Sequence, residues 1–448
     1  MNICERISDP LAIIGFGHEG RSLLNLFLAK CPNISIDILS EDRIDLSIKE
    51  EYKDNKRINF REGADCLKRL PEYTQVFRSP GVSIYKEELI HAVKQGVNIT
   101  SSAQLWHDLY RRDHKIIVTG TKGKSTTSAL LHYVLDGCGE DVVLAGNIGI
   151  PLADLILSGE SHRYWVVEMS SYQLSDFSGT PEIAVLTNLY AEHVDWHRGL
   201  ENYFRDKSRL FYRLEKGRAV LNRRDINTGK WIGHIGEAVY FNDDDGFYVT
   251  DRGISYKNEH ILSGHHLKIM GEHNLENICA TLSVTNMLGI GWEETLEYIS
   301  EFKGLPHRME IVEKKNGVFY VDDSISTIPE STMNAIRVFL PRPITVIVGG
   351  YDRGLDWNGF GVWLAQSSVN AVIGVPESGW IIVDSINSCS MGGVSGFYAQ
   401  GMEEALHLSR RITPKEGVVL LSPASPSYNI YTNYKDRGRH FRSLIGGQ

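Results

Sequence analysis

An α/β architecture of three consecutive domains is the fold class that this sequence predicts, on three observations. Short apolar runs alternate with stretches of helical periodicity along the whole chain, as expected of parallel strands joined by crossover helices. Most of the runs break at their carboxyl ends into glycine or short polar residues, the place where open parallel sheets gather ligands. The length, 448 residues, suits about three cores of roughly 150 residues each. The expected domains are residues 1–111, 112–311 and 312–448, with breaks near Arg111-Arg112-Asp113 and near Gly304-Leu305-Pro306-His307-Arg308.

The first element is the strand Leu11-Ala12-Ile13-Ile14, which enters Gly15-Phe16-Gly17-His18-Glu19-Gly20 and then a helix through Leu23, Leu24, Phe27 and Leu28. A second strand, Ile34 to Leu39, ends in Ser40-Glu41-Asp42. Gly-x-Gly-x-x-Gly between strand and helix, with acids about 20 residues on, is a dinucleotide fingerprint, so the first domain reads as Rossmann-like. The turn binds a pyrophosphate of any kind, or serves close packing alone. A strand at Gln75-Val76-Phe77 breaks at Ser79-Pro80-Gly81, a loop at the same strand ends.

The central domain opens on Ile116-Ile117-Val118-Thr119 and Gly120-Thr121-Lys122-Gly123-Lys124-Ser125-Thr126, followed by the helical pattern Ser128-Ala129-Leu130-Leu131. Glycines at such a turn let backbone N–H groups approach phosphates, Lys124 adds a point charge, and the hydroxyl of Ser125 or Thr126 can reach Mg2+. This is a P-loop ATPase-like signal, two residues shorter than the usual Walker spacing. Tyr164 to Val167 runs into Glu168, and Ile183 to Leu186 runs toward His193, so Lys124, Glu168 and His193 can converge at the ends of one parallel sheet. A carboxylate and an imidazole beside a phosphate loop suit divalent ions. His197, at i,i+4 from His193, reads as structural for want of a base-bearing zinc motif. Asn274 and Asn277, one helical turn apart, suit hydrogen bonds to a base or ribose, or the capping of their own helix.

The last domain repeats the layout with Val318 to Val321 before Asp322-Asp323-Ser324, Ile344 to Val348 before Gly349-Gly350, and Val418 to Leu421 before Ser422-Pro423, a second Rossmann-like pattern. The formal net charge is -9, from 47 Lys and Arg against 56 Asp and Glu. With no long basic block, that balance argues against a general nucleic-acid or anionic-membrane partner. No apolar run approaches the ~18 residues of a membrane span, and a signal-peptide layout is absent, so a cytoplasmic location is expected. The six cysteines are scattered without zinc-like spacing and read as reduced structural thiols.

Along almost its whole length the chain resembles the Mur ligases. The resemblance rests on Gly120-Thr-Lys-Gly-Lys-Ser-Thr126, Gly146-Asn147-Ile-Gly149, Glu168-Met-Ser-Ser-Tyr-Gln-Leu174, Gly271-Glu-His-Asn274, Gly304-Leu-Pro-His-Arg308, Asp323-Ser324, Gly349-Gly-Tyr-Asp-Arg-Gly354 and Leu421-Ser-Pro-Ala424, in family order. Ser170-Ser-Tyr-Gln-Leu174 is similar to the branch that adds glutamate to UDP-N-acetylmuramoyl-L-alanine in peptidoglycan precursor biosynthesis. The resemblance implies that the substrate carboxylate attacks the γ-phosphate of ATP, and that glutamate's amine then displaces phosphate from an acyl phosphate. It implies that Gly120, Thr121, Lys122, Gly123, Lys124, Ser125 and Thr126 cradle the ATP phosphates. One Mg2+ would take Ser125 or Thr126 with Glu168, and a second would take His193. It further implies that Lys207 is carbamylated by CO2 to an anionic metal ligand, and that Asn274, Asn277, Arg308 and Asp323 hold the nucleotide. Phe16, His18, Ser79, Pro80 and Gly81 would take the UDP portion, and Asn147 and His193 would face the muramoyl-peptide end. A monomer is the family default.

The acceptor pocket departs from the family pattern. Asp323-Ser324-Ile325-Ser326-Thr327-Ile328 puts isoleucine where the glutamate-adding branch carries lysine, while Thr327, Arg353, Ser427 and Tyr431 match pocket positions. Loss of a cation where a dicarboxylate binds points to an altered acceptor: D-glutamate is the family default, and L-glutamate is suspected. Two rival readings remain. A NAD-dependent oxidoreductase would use the first fingerprint but leaves the phosphate loop unexplained; a folylpolyglutamate synthase-like ligase would not need residues 1–110 as a UDP domain.

Overall fold

A computed structural model of the chain describes residues 3–446 apart from 213, 215–217, 233, 234, 236, 270, 353, 390–392 and 429. The chain forms two compact units, Met1–Leu267 with Glu272–Phe302, and Lys268–Gly271 with Lys303–Gln448.

The first unit contains two parallel sheets in succession. β1 (Leu11–Ile14), β2 (Ile36–Ser40), β3 (Ile58–Glu62), β4 (Gln75–Arg78) and β5 (Asn98–Thr100) lie in the order β3-β2-β1-β4-β5, every pair parallel. Strand order reverses between β1 and β4, so the turns after them flank a crevice. The turns after β1 and β4 are Gly15-Phe16-Gly17 and Ser79-Pro80-Gly81.

The second sheet uses β6 (His114–Thr119), β7 (Val142–Gly146), β8 (Tyr164–Glu168), β9 (Ile183–Leu186), β10 (Arg218–Asn222) and β11 (Ala238–Phe241). Its order is β11-β10-β9-β6-β8-β7, again all parallel. β6 therefore pairs with both β8 and β9, and the phosphate loop emerges between the strand ends carrying Glu168 and Thr187. β1, β4, β8 and β9 are buried on both faces, which accounts for their unbroken apolar runs. One apolar core joins the two sheets, with Trp106 against Trp165 at 5.5 Å between ring centroids. An antiparallel three-stranded sheet follows, β12 (Phe247–Thr250), β13 (Gly253–Tyr256) and β14 (Glu259–Ser263).

The second unit is built on β15 (Glu310–Lys315), β16 (Val318–Asp322), β17 (Ile344–Val348), β18 (Ala371–Gly374), β19 (Ser395–Tyr398) and β20 (Val418–Leu421). The order is β15-β16-β20-β17-β18-β19, with only the edge pair β15-β16 antiparallel. Three successive α/β sheets are thus present, as the alternation of apolar runs and helical periodicity predicts. Among the described residues no helix is long and apolar enough to cross a membrane.

Candidate active site

The phosphate loop is shaped by two glycines at positive φ. Gly120 (φ +148) leaves β6, and Gly123 (φ +82) caps the helix Lys124–Gly137 in the left-handed region that favours glycine. A Cβ on Gly120 would overlap Thr187 Oγ1, and one on Gly123 would overlap Asn277 Oδ1. The β9 end holds the loop: Thr121 N–H donates to Asn188 O at 2.9 Å, Lys122 N–H to Asn188 Oδ1 at 2.8 Å, and Thr187 Oγ1 to Lys122 O at 2.6 Å. Lys124 Nζ lies 2.9 Å from Thr121 O. Ser125 is half-buried and Thr126 buried in the first turn, where unpaired N–H groups favour an anion. On the helix Glu272–Met287, Asn277 accepts from Thr127 Oγ1 at 3.2 Å and donates to Asn274 Oδ1 at 3.1 Å, so Asn277 packs against this loop and Asn274 packs against Asn277.

Beside the loop stand the two strand-end residues and Lys207. Glu168 is fully buried at the end of β8; its Oε1 accepts from Asn147 Nδ2 at 2.8 Å, and its Oε2 has no hydrogen-bond partner among the described residues. His193 has a partly exposed ring 5.0 Å from that of Tyr172. Partial burial, with Lys207, Lys124 and Lys122 near by, holds its imidazole below the usual histidine range against the pull of Glu192. Lys207, on the helix Leu200–Tyr212, is 2% exposed and donates to Gly120 O at 2.7 Å. Burial first, then repulsion from Lys124, pushes its amine well below the ordinary lysine value despite Glu192 and Glu168.

A cleft of about 980 Å³ runs from the first sheet to this loop. Phe16 and His18 line one end with Ser79, Pro80 and Gly81; Lys124, Asn147 and His193 line the other, with Tyr172. Gly15 (φ +78) is required where the wall closes, since a Cβ there would lie 2.8 Å from Val82 Cγ2. Val82 and Tyr172 of the lining are both held through their backbone carbonyls by Arg78, a residue that the motifs alone did not single out. Its fully buried guanidinium pairs with Asp176 at 2.7 Å and donates to Val82 O at 2.8 Å and Tyr172 O at 2.8 Å.

Residues 118–285 match the Mur ligase middle domain. A UDP-N-acetylmuramoyl-L-alanine--L-glutamate ligase of Xanthomonas oryzae pv. oryzae is 32% identical over 456 residues, covering 100% of this chain and 97% of its own. A like-named ligase of Micromonospora sp. is 32% identical, over 98% of each chain. The chain belongs to the Mur ligase family. Mur ligases are ATP-dependent and form amide bonds in peptidoglycan precursor synthesis. The fold agrees with that of solved Mur ligases: MurC of Thermotoga maritima has a TM-score of 0.60 at 18% identity, covering 98% of this chain and 99% of its own. A MurF structure from Acinetobacter baumannii has a TM-score of 0.61 at 18% identity, covering 98% and 89%.

Divalent ions fit the donors of this Mur ligase site. Glu168 Oε2 is a buried oxygen lacking a partner, and Ser125 and Thr126 bring hydroxyls to the same loop. Among the described residues no three His, Cys, Asp or Glu side chains form a ready-made cage. An ion would therefore draw its remaining ligands from phosphate, hydroxyl and water oxygens.

In the second unit, Asp323 follows β16 and Ser422 follows the neighbouring β20. Asp323 is buried, accepting from Met309 N–H at 3.1 Å and Ser422 Oγ at 2.7 Å, and burial raises its carboxyl to about 6. Arg308 is half-buried two residues after a turn at Pro306. Thr327 precedes the helix Pro329–Phe339; Ser427 and Tyr431 lie on the loop after β20, where Tyr431 N–H donates to Ser427 O at 2.9 Å and the Tyr431 hydroxyl meets His440 Nδ1 at 2.9 Å. Arg353 lies outside the described residues. Arg437, also not singled out by motif, joins these two loops: it donates to Ser324 O at 2.9 Å and Ser425 O at 3.0 Å from a buried position.

Proposed function

We propose that this Mur ligase joins L-glutamate to the carboxyl of UDP-N-acetylmuramoyl-L-alanine in the cytoplasm, as a monomer, with ATP converted to ADP and phosphate. The observation that carries the reading is the cleft, which links a nucleotide-type crevice at β1 and β4 to a phosphate loop at β6. A UDP-linked substrate laid along it brings its far end to Lys124, Asn147 and His193. A NAD-dependent oxidoreductase would need the first crevice and would leave the second phosphate loop without a task. The names of the relatives in Xanthomonas and Micromonospora support L-glutamate, and so does Ile325 in the acceptor loop.

In the first step the terminal carboxylate attacks the γ-phosphorus of ATP; an O–P bond forms, the β,γ-bridging bond breaks, and ADP leaves. Glutamate's neutral amine then attacks the acyl carbon, and a tetrahedral intermediate expels phosphate with loss of one proton. Two anions must meet, so positive charge and fixed donors dominate the barrier. Loop N–H groups from Gly120 to Thr126 and the Lys124 ammonium would receive the β- and γ-phosphates, and Asn274, Asn277, Arg308 and Asp323 the rest of the nucleotide. Two Mg2+ ions, when bound, neutralise phosphate charge; Ser125 or Thr126 with Glu168 would hold one, and His193, kept neutral, with a carbamylated Lys207 the other. A neutral amine is what CO2 needs, and the burial that lowers the Lys207 amine favours that form. Asn147, whose amide donates to Glu168 Oε1, would turn its remaining amide hydrogen and oxygen to the substrate's reacting end. In the second unit, Thr327, Arg353, Ser427 and Tyr431 would form the glutamate pocket.

Phosphate release by the purified enzyme with UDP-N-acetylmuramoyl-L-alanine, ATP and each glutamate enantiomer tests the reading. L-glutamate should be favoured at least ~100-fold in kcat/KM; preference for D-glutamate overturns the acceptor assignment, and no turnover with either overturns the reaction.

A further inference from the structure

Three residues that the reaction does not use form a linear buried chain beneath the cleft. Ser171 Oγ lies 3.0 Å from His197 Nε2, and His197 Nδ1 lies 2.7 Å from Asp206 Oδ2. All three are buried, at 2%, 0% and 3% exposure. Asp206 also accepts from the Tyr85 hydroxyl, at 2.9 Å to each carboxylate oxygen. The carboxylate needs donors, which assigns the imidazole proton to Nδ1 and makes Nε2 the acceptor for Ser171. The order is that of a serine nucleophile, its base and an orienting acid. Burial rules out that use, because no substrate carbonyl reaches Ser171.

What the chain connects is more informative than what it resembles. Ser171 stands three residues after Glu168, His197 four after His193, and Asp206 one before Lys207. Each member thus sits on the segment that presents one of the residues assigned to the ions, and Tyr85 stands on the segment following Ser79-Pro80-Gly81. The segment around His197 is tied further: Ser83 Oγ donates to Trp196 O at 2.6 Å, and Asn202 Nδ2 donates to His197 O at 2.8 Å. His193 itself is at φ +54, so its placement depends on the turn it caps rather than on regular structure.

We propose that Ser171, His197 and Asp206 are positioning residues, a buried brace that sets the spacing of Glu168, His193 and Lys207. The inference rests on the assignment of those three residues to divalent ions. Hydrogen-bonded partners behind metal ligands fix ligand orientation, and their loss commonly weakens metal affinity about 10–100-fold.

The test is Mn2+ binding in the presence of ADP, read by electron paramagnetic resonance, for wild-type enzyme, His197→Phe, His197→Gln, Asp206→Asn and Glu168→Gln. His197→Phe keeps an aromatic ring but makes neither hydrogen bond. It should bind Mn2+ about 10–100-fold more weakly and lose kcat in parallel, with metal-free ADP binding and the KM for UDP-N-acetylmuramoyl-L-alanine unchanged. His197→Gln, which can donate and accept, should recover most of the affinity. Wild-type Mn2+ affinity in His197→Phe while Glu168→Gln is weakened overturns the brace. Wild-type affinity in Glu168→Gln instead overturns the ion assignment beneath it. If His197→Phe does not fold, the smaller change Asp206→Asn carries the same readout, and undiminished Mn2+ affinity there overturns the brace.

Discussion

Burying an amine without a carboxylate partner works against folding, and Lys207 is buried that way, its hydrogen bond going to a carbonyl. Its folded value lies well below the ordinary one, so between the two values the unfolded chain binds a proton that the folded chain releases. Stability therefore rises with pH until the unfolded lysine titrates near 10.5. In CO2-free buffer Lys207→Met should be more stable than wild type at pH 7 and inactive, and the gap should shrink as pH approaches 10; chemical denaturation across that range measures it. Asp323 shifts the other way. Its carboxyl is protonated below about 6, where, in the role proposed for it, it would cease to accept hydrogen bonds from a nucleotide. The KM for ATP should rise several-fold as pH falls from 7 to 5, and Asp323→Asn should show no such rise. Neither shift is legible in the sequence: Lys207 reads as a surface lysine on a helix until burial and the Gly120 carbonyl are seen.

At the scale of elements, the phosphate loop and the helix Glu272–Met287 form a matched pair. Gly123 needs both its positive φ and the absence of a Cβ, because Asn277 Oδ1 fills that space. Gly123→Ala should reduce phosphate release more than ~100-fold, since misplacement by about 1 Å costs that much. Adding Asn277→Ala should not restore it, because the backbone strain remains; steady-state kinetics of the single and double variants decide this. The glycines, Lys124 and Glu168 were legible because the chemistry of phosphate requires those types at that spacing. The contact from Asn277 was not, since it joins residues more than 150 positions apart in sequence. Arg78 and Arg437 escaped for a related reason: most of their bonds go to backbone carbonyls, which no side-chain motif records. The hairpin joining β13 to β14 turns at Lys257-Asn258, both at positive φ, but Glu259 and His260 follow directly and the short strands are obscured among turn-forming residues.

Over the whole molecule, the crevice between β1 and β4 and the phosphate loop belong to one compact unit, and the positions proposed to receive glutamate belong to the other. UDP-N-acetylmuramoyl-L-alanine alone, without ATP or metal, should raise the melting temperature of the full chain, by the equivalent of about 2.7 kcal/mol at 100 times its Kd. L-Glutamate alone should shift it far less, because the loop proposed to receive it carries isoleucine rather than a cation at position 325; differential scanning fluorimetry separates the two. The parallel sheets were predictable because strands buried on both faces write themselves as apolar runs, whereas strand order, which decides where the cleft lies, depends on long-range pairing that leaves no local mark.

Glu168 Oε2 is buried with no hydrogen-bond partner among the described residues, and beside the same loop Lys207 is buried with its amine held well below the ordinary lysine value. A buried oxygen without a partner costs about 1–3 kcal/mol, enough to change how often a chain opens to a protease. A group that satisfied that oxygen would return the cost, and limited proteolysis of the chain should slow when such a group binds.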